Sequence, residues 1–256
     1  MSSIAIVQAR MGSSRFYGKV LKEICGKTII EHIVYRLKQV QKIDKVVLAT
    51  SSTEKDNPIE ELCKNKGIPF FRGSESDVLD RFYQAAKHFG AKNGDTIIRI
   101  TGDCPLIDPK IVDEIIKMFI ERDSDYGANV NPPTFPDGLD TEVMKFSTLE
   151  KSWKEAKLLS EREHVTLHIR NHPEIFSISN YVSDIDYSDL RWTLDESEDF
   201  EVIKAIYENL YTEDKVFLMD DILKLLERKK EITEINKKFM RNEGLIKSLM
   251  NDKEVE

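Results

Sequence analysis

Apolar positions in the first half of the chain alternate between two periods. Four short runs, Ile4–Ala9, Lys45–Thr50, Pro69–Arg72 and Thr96–Thr101, are rich in β-branched or aromatic residues and predict strands. Between them the apolar residues fall three and four apart, as on one face of a helix. One such segment carries Ile29, Ile30, Ile33, Val34, Leu37 and Val40, and a second carries Val78, Leu79, Phe82, Tyr83, Ala86 and Phe89. A third carries Ile111, Val112, Ile115, Ile116 and Phe119; it opens at Pro109, a favourable first helical residue, behind Asp108 as its cap. Alternation at this spacing predicts βαβ units, hence an α/β fold with a mostly parallel sheet and helices on both faces.

Beyond about Asp123 the pattern loosens. Gly127–Val130 and Asp140–Lys145 read as strands around the turn-rich "NPPTFPDG", followed by helices over Leu149–Leu159 and Glu161–Asn171. Ile175–Val182 and Leu190–Leu194 read as further strands, and helical segments resume from Asp199 into a highly charged end. The chain divides on this reading into residues 1–122, residues 123–211 completing the same sheet, and a helical C-terminal appendage over 212–256.

Composition narrows the function. The 256 residues are 40% hydrophobic and 33% charged, enough for a sizeable core inside a mixed-sign surface. A net charge of −8 argues against a nucleic-acid binder but leaves room for a local cationic loop. Cys25, Cys63 and Cys104 are few, scattered and odd in number, which argues against a disulfide framework or a structural zinc site. No signal-peptide pattern and no membrane-length apolar run is present, so a soluble cytoplasmic protein is expected.

Three stretches carry candidate chemistry. "QARMGSSRFYGKVL" (8–21) follows the first strand, where parallel sheets bind ligands. Gly12, Ser13 and Ser14 let backbone N–H groups approach an anion, and Arg10, Arg15 and Lys19 offer charge-assisted hydrogen bonds to phosphate. Neither a Walker motif nor GxGxxG is present, and a solvated basic turn is the plain alternative. "RITGDCPLID" (99–108) sets Asp103 just past a strand, behind Gly102. "RWTLDESEDFEVI" (191–203) sets Asp195 past another strand-like run. Carboxylates at strand ends suit a hard divalent cation such as Mg²⁺ beside phosphates; the alternative is a cap or turn role. Glu196, Glu198 and Asp199 read as first-turn helix charges.

In this order "QARMGSSR" with "GKVL", "GDCPL" and "TLDE" resemble the CMP-sugar synthetase group of nucleotidyltransferases, which includes the 3-deoxy-manno-octulosonate and acylneuraminate cytidylyltransferases. "RGSESDVLDRFYQAA", "DGLDTEV" and "SEREHVT" bring the chain nearest to the branch of spore coat polysaccharide biosynthesis protein F, with the likeness running over roughly 4–205. The resemblance implies a glycosyltransferase-A-like, Rossmann-like mixed sheet and transfer of CMP from CTP to a sugar or sugar acid, with release of pyrophosphate. It makes 1–122 the nucleotide half and 123–211 the acceptor half. It assigns Ala9, Arg10, Gly12, Ser13, Ser14, Arg15, Lys19, Gly102 and Asp103 to the nucleotide, with Arg15, Lys19 and Asp103 catalytic and Asp103 and Asp195 as Mg²⁺ ligands. Tyr17 stands where relatives favour proline, which bears on the placement of Lys19.

The acceptor side is less sharply drawn. Arg162, Glu163 and His164 lie in family-like sequence, while Asp137, Asp140 and Glu142 flank the Pro-rich loop and suit sugar hydroxyls or simply a turn. Arg72 and Arg81 suit the base or the acceptor; Arg81 alternatively pairs with Asp77 along its helix. His164, His168 and His172, at i, i+4 and i+8 of one predicted helix, form either a surface stripe, an acceptor-facing edge or a zinc site. Family resemblance and the apolar late segments point to a homodimer. A glycosyltransferase on the same sheet is the competing enzyme reading, weakened by the absence of a DxD-like strand end; a catalytically silent nucleotide-binding module is the non-enzymatic one.

Overall fold

The computed structural model describes residues 2–13 and 15–254; Ser14, assigned above to the nucleotide, lies outside them. Among the described residues nine strands form: β1 (Ser3–Gln8), β2 (Glu23–Ile24), β3 (Lys27–Thr28), β4 (Lys45–Ser51), β5 (Phe70–Gly73), β6 (Thr96–Thr101), β7 (Tyr126–Ala128), β8 (Glu142–Lys145) and β9 (Ile178–Asn180). Seven of them make one sheet in the order β5-β4-β1-β6-β8-β7-β9, and β2 and β3 pair separately. Only β8 runs against its neighbours; the other pairings within the sheet, including β7 with β9, are parallel. The expected mostly parallel, mixed α/β sheet is what the chain forms.

Why the strand runs read as nearly continuous apolar sequence is visible in β1. Ala5 and Val7 enter one core with Leu48, Ile98 and Ile100, whereas Ile4 and Ile6 enter another with Val47, Ala49 and Ile97. Successive side chains point to opposite faces and both faces are covered, so neither parity can be polar. The first core is closed by α1 (Ile29–Leu37) and α4 (Pro109–Glu121), and the second by α3 (Val78–His88). Their starts follow sequence rules: Thr28 and Glu31 form a capping box on α1, and Asp108 accepts from Lys110 N at 2.8 Å on α4. α2 (Asn57–Lys66), with Pro58 in its first turn, adds Ile59 and Cys63 to the first core.

The second half departs from the sequence reading in three places. The helix expected over Leu149–Leu159 forms earlier, as α5 (Phe146–Glu155). The helix expected over Glu161–Asn171 is two, α6 (Leu159–Glu163) and α7 (Leu167–Asn171), separated where Val165 takes φ 42°. The three histidines are therefore not one helical stripe: His164 sits in the break. Leu190–Leu194 is not a strand. Its backbone is held instead by loops, Trp192 N donating to Asp137 O at 2.6 Å and Leu194 N to Asp103 O at 2.8 Å. Trp192 and Leu194 are nevertheless fully buried, and burial alone wrote the strand-like pattern.

Four further helices follow: α8 (Ser197–Leu210), α9 (Met219–Arg228), α10 (Glu231–Glu234) and α11 (Glu243–Met250). Phe217, Met219, Ile222, Leu226 and Ile232 join the core that contains α1, and Asp108 accepts from Met219 N at 2.6 Å. No helix among the described residues is long and apolar enough to cross a membrane.

Candidate active site

Because β1 and β6 are parallel neighbours with Gln8 opposite Thr101, the loops leaving their carboxyl ends start side by side. Gly102 N donates to Gln8 O at 2.7 Å, and a Cβ on Gly102 would lie 2.8 Å from that oxygen and 2.9 Å from Ala9 Cβ. Glycine is required there by close approach. The cationic loop after β1 is pinned by buried Asp56, whose Oδ1 takes Met11 N at 2.7 Å while Oδ2 takes Thr50 Oγ1 and Ser51 N, each at 3.0 Å. At its far end Gly18, with φ 69°, donates to Met11 O at 3.1 Å and starts the short turn that carries Lys19.

The segment 191–195 brings the third loop in. Gly138 meets it so closely that a Cβ would lie 2.5 Å from Thr193 N and from Trp192 C. Asp199, fully buried, receives Arg191 Nε and Nη2, Asn236 Nδ2 and the backbone N–H of Asp195 and Glu196, all at 2.9 Å. Arg191 also reaches Asp137 Oδ2 at 3.2 Å and Asp195 Oδ2 at 3.5 Å. Asp199, read from sequence as a first-turn helix charge, is that in the capping box of α8 and is also a buried hub that fixes Asp195.

Lys19 Nζ stands between Asp103 Oδ2 at 3.1 Å and Asp195 Oδ1 at 2.7 Å, with Arg15 on Asp195 Oδ2 at 3.1 Å. Burial would depress the ammonium, but the two carboxylates outweigh it and hold its pKa above the ordinary value. Burial likewise works against ionised Asp103, and Lys19 and hydrogen bonds overcome it, so its carboxyl lies well below the usual range. Two oxygen donors already converge on a single cation. That donor set fits a hard divalent ion.

Across the site, Asp137 and Asp140 are in the opposite state. Burial raises both above the usual carboxylate range, Arg191 and Arg241 only partly offset it for Asp137, and Arg241 does so for Asp140. Arg241 Nη2 lies 2.5 Å from Asp140 Oδ1 and 4.0 Å (Nε) from Asp137 Oδ1. Beside them Glu142, 4% exposed, accepts from Arg99, from Tyr126 Oη at 2.5 Å and from Thr166 Oγ1 at 2.5 Å. Burial opposes its charge, but Arg99 and Arg170 lead in holding it down to about 2.

These groups line one cavity of about 790 Å³, into which Ala9, Arg10, Gly12, Ser13, Arg15, Lys19, Gly102, Asp103 and Asp195 all project. Asp137, Asp140, Glu142, Glu163 and His164 line its other wall. Its roof is the C-terminal arm, residues 240–251. Arg15 reaches Glu243 at 3.4 Å, Ser248 Oγ donates to Glu163 at 2.7 Å, and Ser160 N donates to Asp252 at 3.0 Å.

Three expected site residues lie elsewhere. Arg72 spends its guanidinium on Ser51 O, Thr53 O, Asn57 and Glu60. Arg162 clasps Asp77 and Trp153 O, and Arg81 is fully buried against Ser74 O. None of the three lines the cavity. Conversely, Arg99, Arg170 and Arg241 line it without having been singled out from sequence. Arg99 carried a signal, a charge inside the otherwise apolar strand "TIIRIT"; Arg241 carried none.

A cytidylyltransferase family model matches residues 4–243. An uncharacterized protein of Methanocaldococcus jannaschii is 40% identical over 79% of this chain and 82% of its own length. The spore coat polysaccharide biosynthesis protein SpsF of Bacillus subtilis is 38% identical over 79% of this chain and 85% of its own. A cytidylyltransferase structure from Leptospira borgpetersenii superposes with a TM-score of 0.85 at 33% identity, covering 91% of this chain and 97% of that one. With loops from the ends of β1 and β6 and an ion-paired cation between two carboxylates, the chain belongs to the cytidylyltransferase family.

Proposed function

We propose that the cavity transfers a cytidylyl group from CTP to a hydroxyl of a sugar or sugar-acid acceptor, releasing pyrophosphate, in the synthesis of a surface polysaccharide. The observation that carries this reading is Lys19 Nζ held between Asp103 and Asp195 at the floor of a cavity wide enough for a nucleotide and a sugar. The acceptor oxygen forms a bond to the α-phosphorus, the α–β bridging bond breaks, and its electron pair leaves with pyrophosphate. Arg15 and Lys19 neutralise charge on the departing oxygens, and the Gly12–Ser13 backbone approaches the phosphates. Asp103 and Asp195 would hold Mg²⁺, which when bound supplies charge neutralisation at the phosphates. Asp137 and Asp140, with carboxyls raised toward neutrality beside the acceptor wall, are placed to take up the hydroxyl proton. Arg99, Arg170 and Arg241 line that wall beside its carboxylates and offer guanidinium donors that an acidic acceptor can share.

The same reading places the enzyme in the cytoplasm, where CTP is supplied, and carries a homodimer, for which exposed Ile175, Val182 and Ile185 speak. The test is to incubate the protein with Mg²⁺, each of the four nucleoside triphosphates and a panel of acidic sugars and sugar phosphates, following pyrophosphate. Acceptor-dependent release with CTP is expected. Transfer from a ready-made nucleotide sugar without pyrophosphate would overturn the reading.

A further inference from the structure

The break at Val165 folds α6 and α7 against each other and gathers a second set of donors. Ser160, Glu163, His164 and Arg170 line the cavity, whereas Glu161, His168 and His172 do not. One ligand atom each of Glu161, His168 and His172 lies within 4.8 Å of the other two, the one such trio of histidine, cysteine or acidic residues among the described residues. The two imidazoles are one helical turn apart, with ring centroids 4.3 Å from each other.

Their hydrogen bonds leave basic nitrogens unused. His172 Nδ1 sits 2.8 Å from His168 O; a carbonyl can only accept, so the proton is on Nδ1 and Nε2 carries the lone pair. His168, more than nine-tenths buried, sets Nδ1 3.1 Å from Glu161 Oε1. Its Nε2 is buried without a hydrogen-bond partner among the described residues, and Glu155 Oε2 lies 3.9 Å away. A buried ring nitrogen left unpaired is costly; with an ion on Nδ1 the ring proton sits on Nε2, where Glu155 is its outer acceptor.

We propose that Glu161, His168 through Nδ1 and His172 through Nε2 form a binding site for a divalent transition-metal ion of the zinc class, with Glu155 on the far, Nε2 side of the His168 ring. Mixed imidazole and carboxylate ligands suit Zn²⁺, Ni²⁺ or Cu²⁺, whereas Mg²⁺ prefers oxygen alone. Tetrahedral donors with bonds of about 2.1 Å sit about 3.4 Å apart, so the ligands draw in by roughly 1 Å. Rotation of half-buried His172 provides that movement. The ion would tie α6 to α7. It is distinct from the oxygen site at Asp103 and Asp195, and the inference does not depend on the proposed transfer reaction.

The test is calorimetric titration of the full chain with Zn²⁺ in excess Mg²⁺. One ion per chain is expected, bound about 100-fold more weakly by the His168→Gln, His172→Gln double variant and undiminished in Asp103→Asn. His172→Gln alone keeps the buried joint intact; it should melt at the wild-type temperature without metal and lose the rise in Tm that Zn²⁺ gives the wild type. Wild-type protein that takes up no Zn²⁺, or binding that survives loss of both histidines, would overturn the proposal.

Discussion

Carboxyl groups on the two sides of this cavity have been pushed in opposite directions, Asp103 downward and Asp137 and Asp140 upward. Asp103 and Asp195 close on Lys19, and Asp103 is held well below the usual carboxylate range. Asp137 and Asp140 are crowded by burial and by other acids, and both are held above it. All four side chains are aspartates on loops. What separates them is how much cation each receives for the water it gives up. On the proposed reading Asp103 stays ionised and binds a cation, whereas Asp137 and Asp140 exchange a proton near neutrality.

The comparison breaks most simply in turnover. Asp103→Asn and Asp195→Asn should each lower kcat by about 10³-fold or more, the scale of losing an electrostatic contact to reacting phosphates. Asp137→Asn should cost less, because Arg191 keeps Asp199 as its partner. Steady-state pyrophosphate release measures both, and equal losses would mean that the pairs are not functionally distinct.

A third carboxylate marks the limit of the comparison. Glu142 is more buried than either pair yet held down to about 2, because Arg99 and Arg170 face it. Glu142→Gln leaves Arg99 buried without its counter-charge and should destabilise the protein by about 3–5 kcal/mol in urea unfolding at pH 7. Its folded pKa is depressed, so the contribution is whole above the ordinary glutamate value of 4.5 and is lost as pH falls toward 2. The deficit of the variant should therefore shrink at pH 3. A constant deficit would assign the role of Glu142 to shape rather than charge.

Asp199→Asn should act next, and differently. It strips an acceptor from Arg191, Asn236 and two backbone N–H groups, so melting temperature should fall. Turnover should fall less than for Asp103→Asn, since Asp199 touches no substrate and only positions Asp195. A variant with unchanged Tm but abolished turnover would move Asp199 into the chemistry.

How much of this could be read beforehand follows the same divide. β1, β4 and β6 were legible because burial on both faces makes a strand apolar throughout, Asp103 because it follows such a strand at once, and Lys19 through the cationic, glycine-bearing loop that leaves β1. Asp195 was legible through the wrong element, since the run before it is buried coil. Arg191, Asp195 and Asp199 sit four apart, a spacing that also marks the exposed face of a helix, so the hub they form left no signal of its own. The helix break at Val165 puts a β-branched residue at positive φ, where sequence rules look for glycine. Arg241 meets Asp140 across 101 positions, and no local pattern records such a contact.

The smallest expected effect is the one that separates the two pairs by sign. A carboxyl with a raised folded pKa costs nothing in acid, where it is protonated folded or unfolded. Its cost grows as pH rises through the interval between the two pKa values. Wild type should therefore lose stability relative to Asp140→Asn between about pH 4 and pH 7, by on the order of 1 kcal/mol per pH unit at most, and hold level above that. For Asp103, with its pKa depressed, the sign reverses: wild type should lose its advantage over Asp103→Asn only as pH falls below the ordinary aspartate range. Paired melts of both variants across pH measure the two slopes, and slopes of the same sign would show that one field governs all four carboxyls.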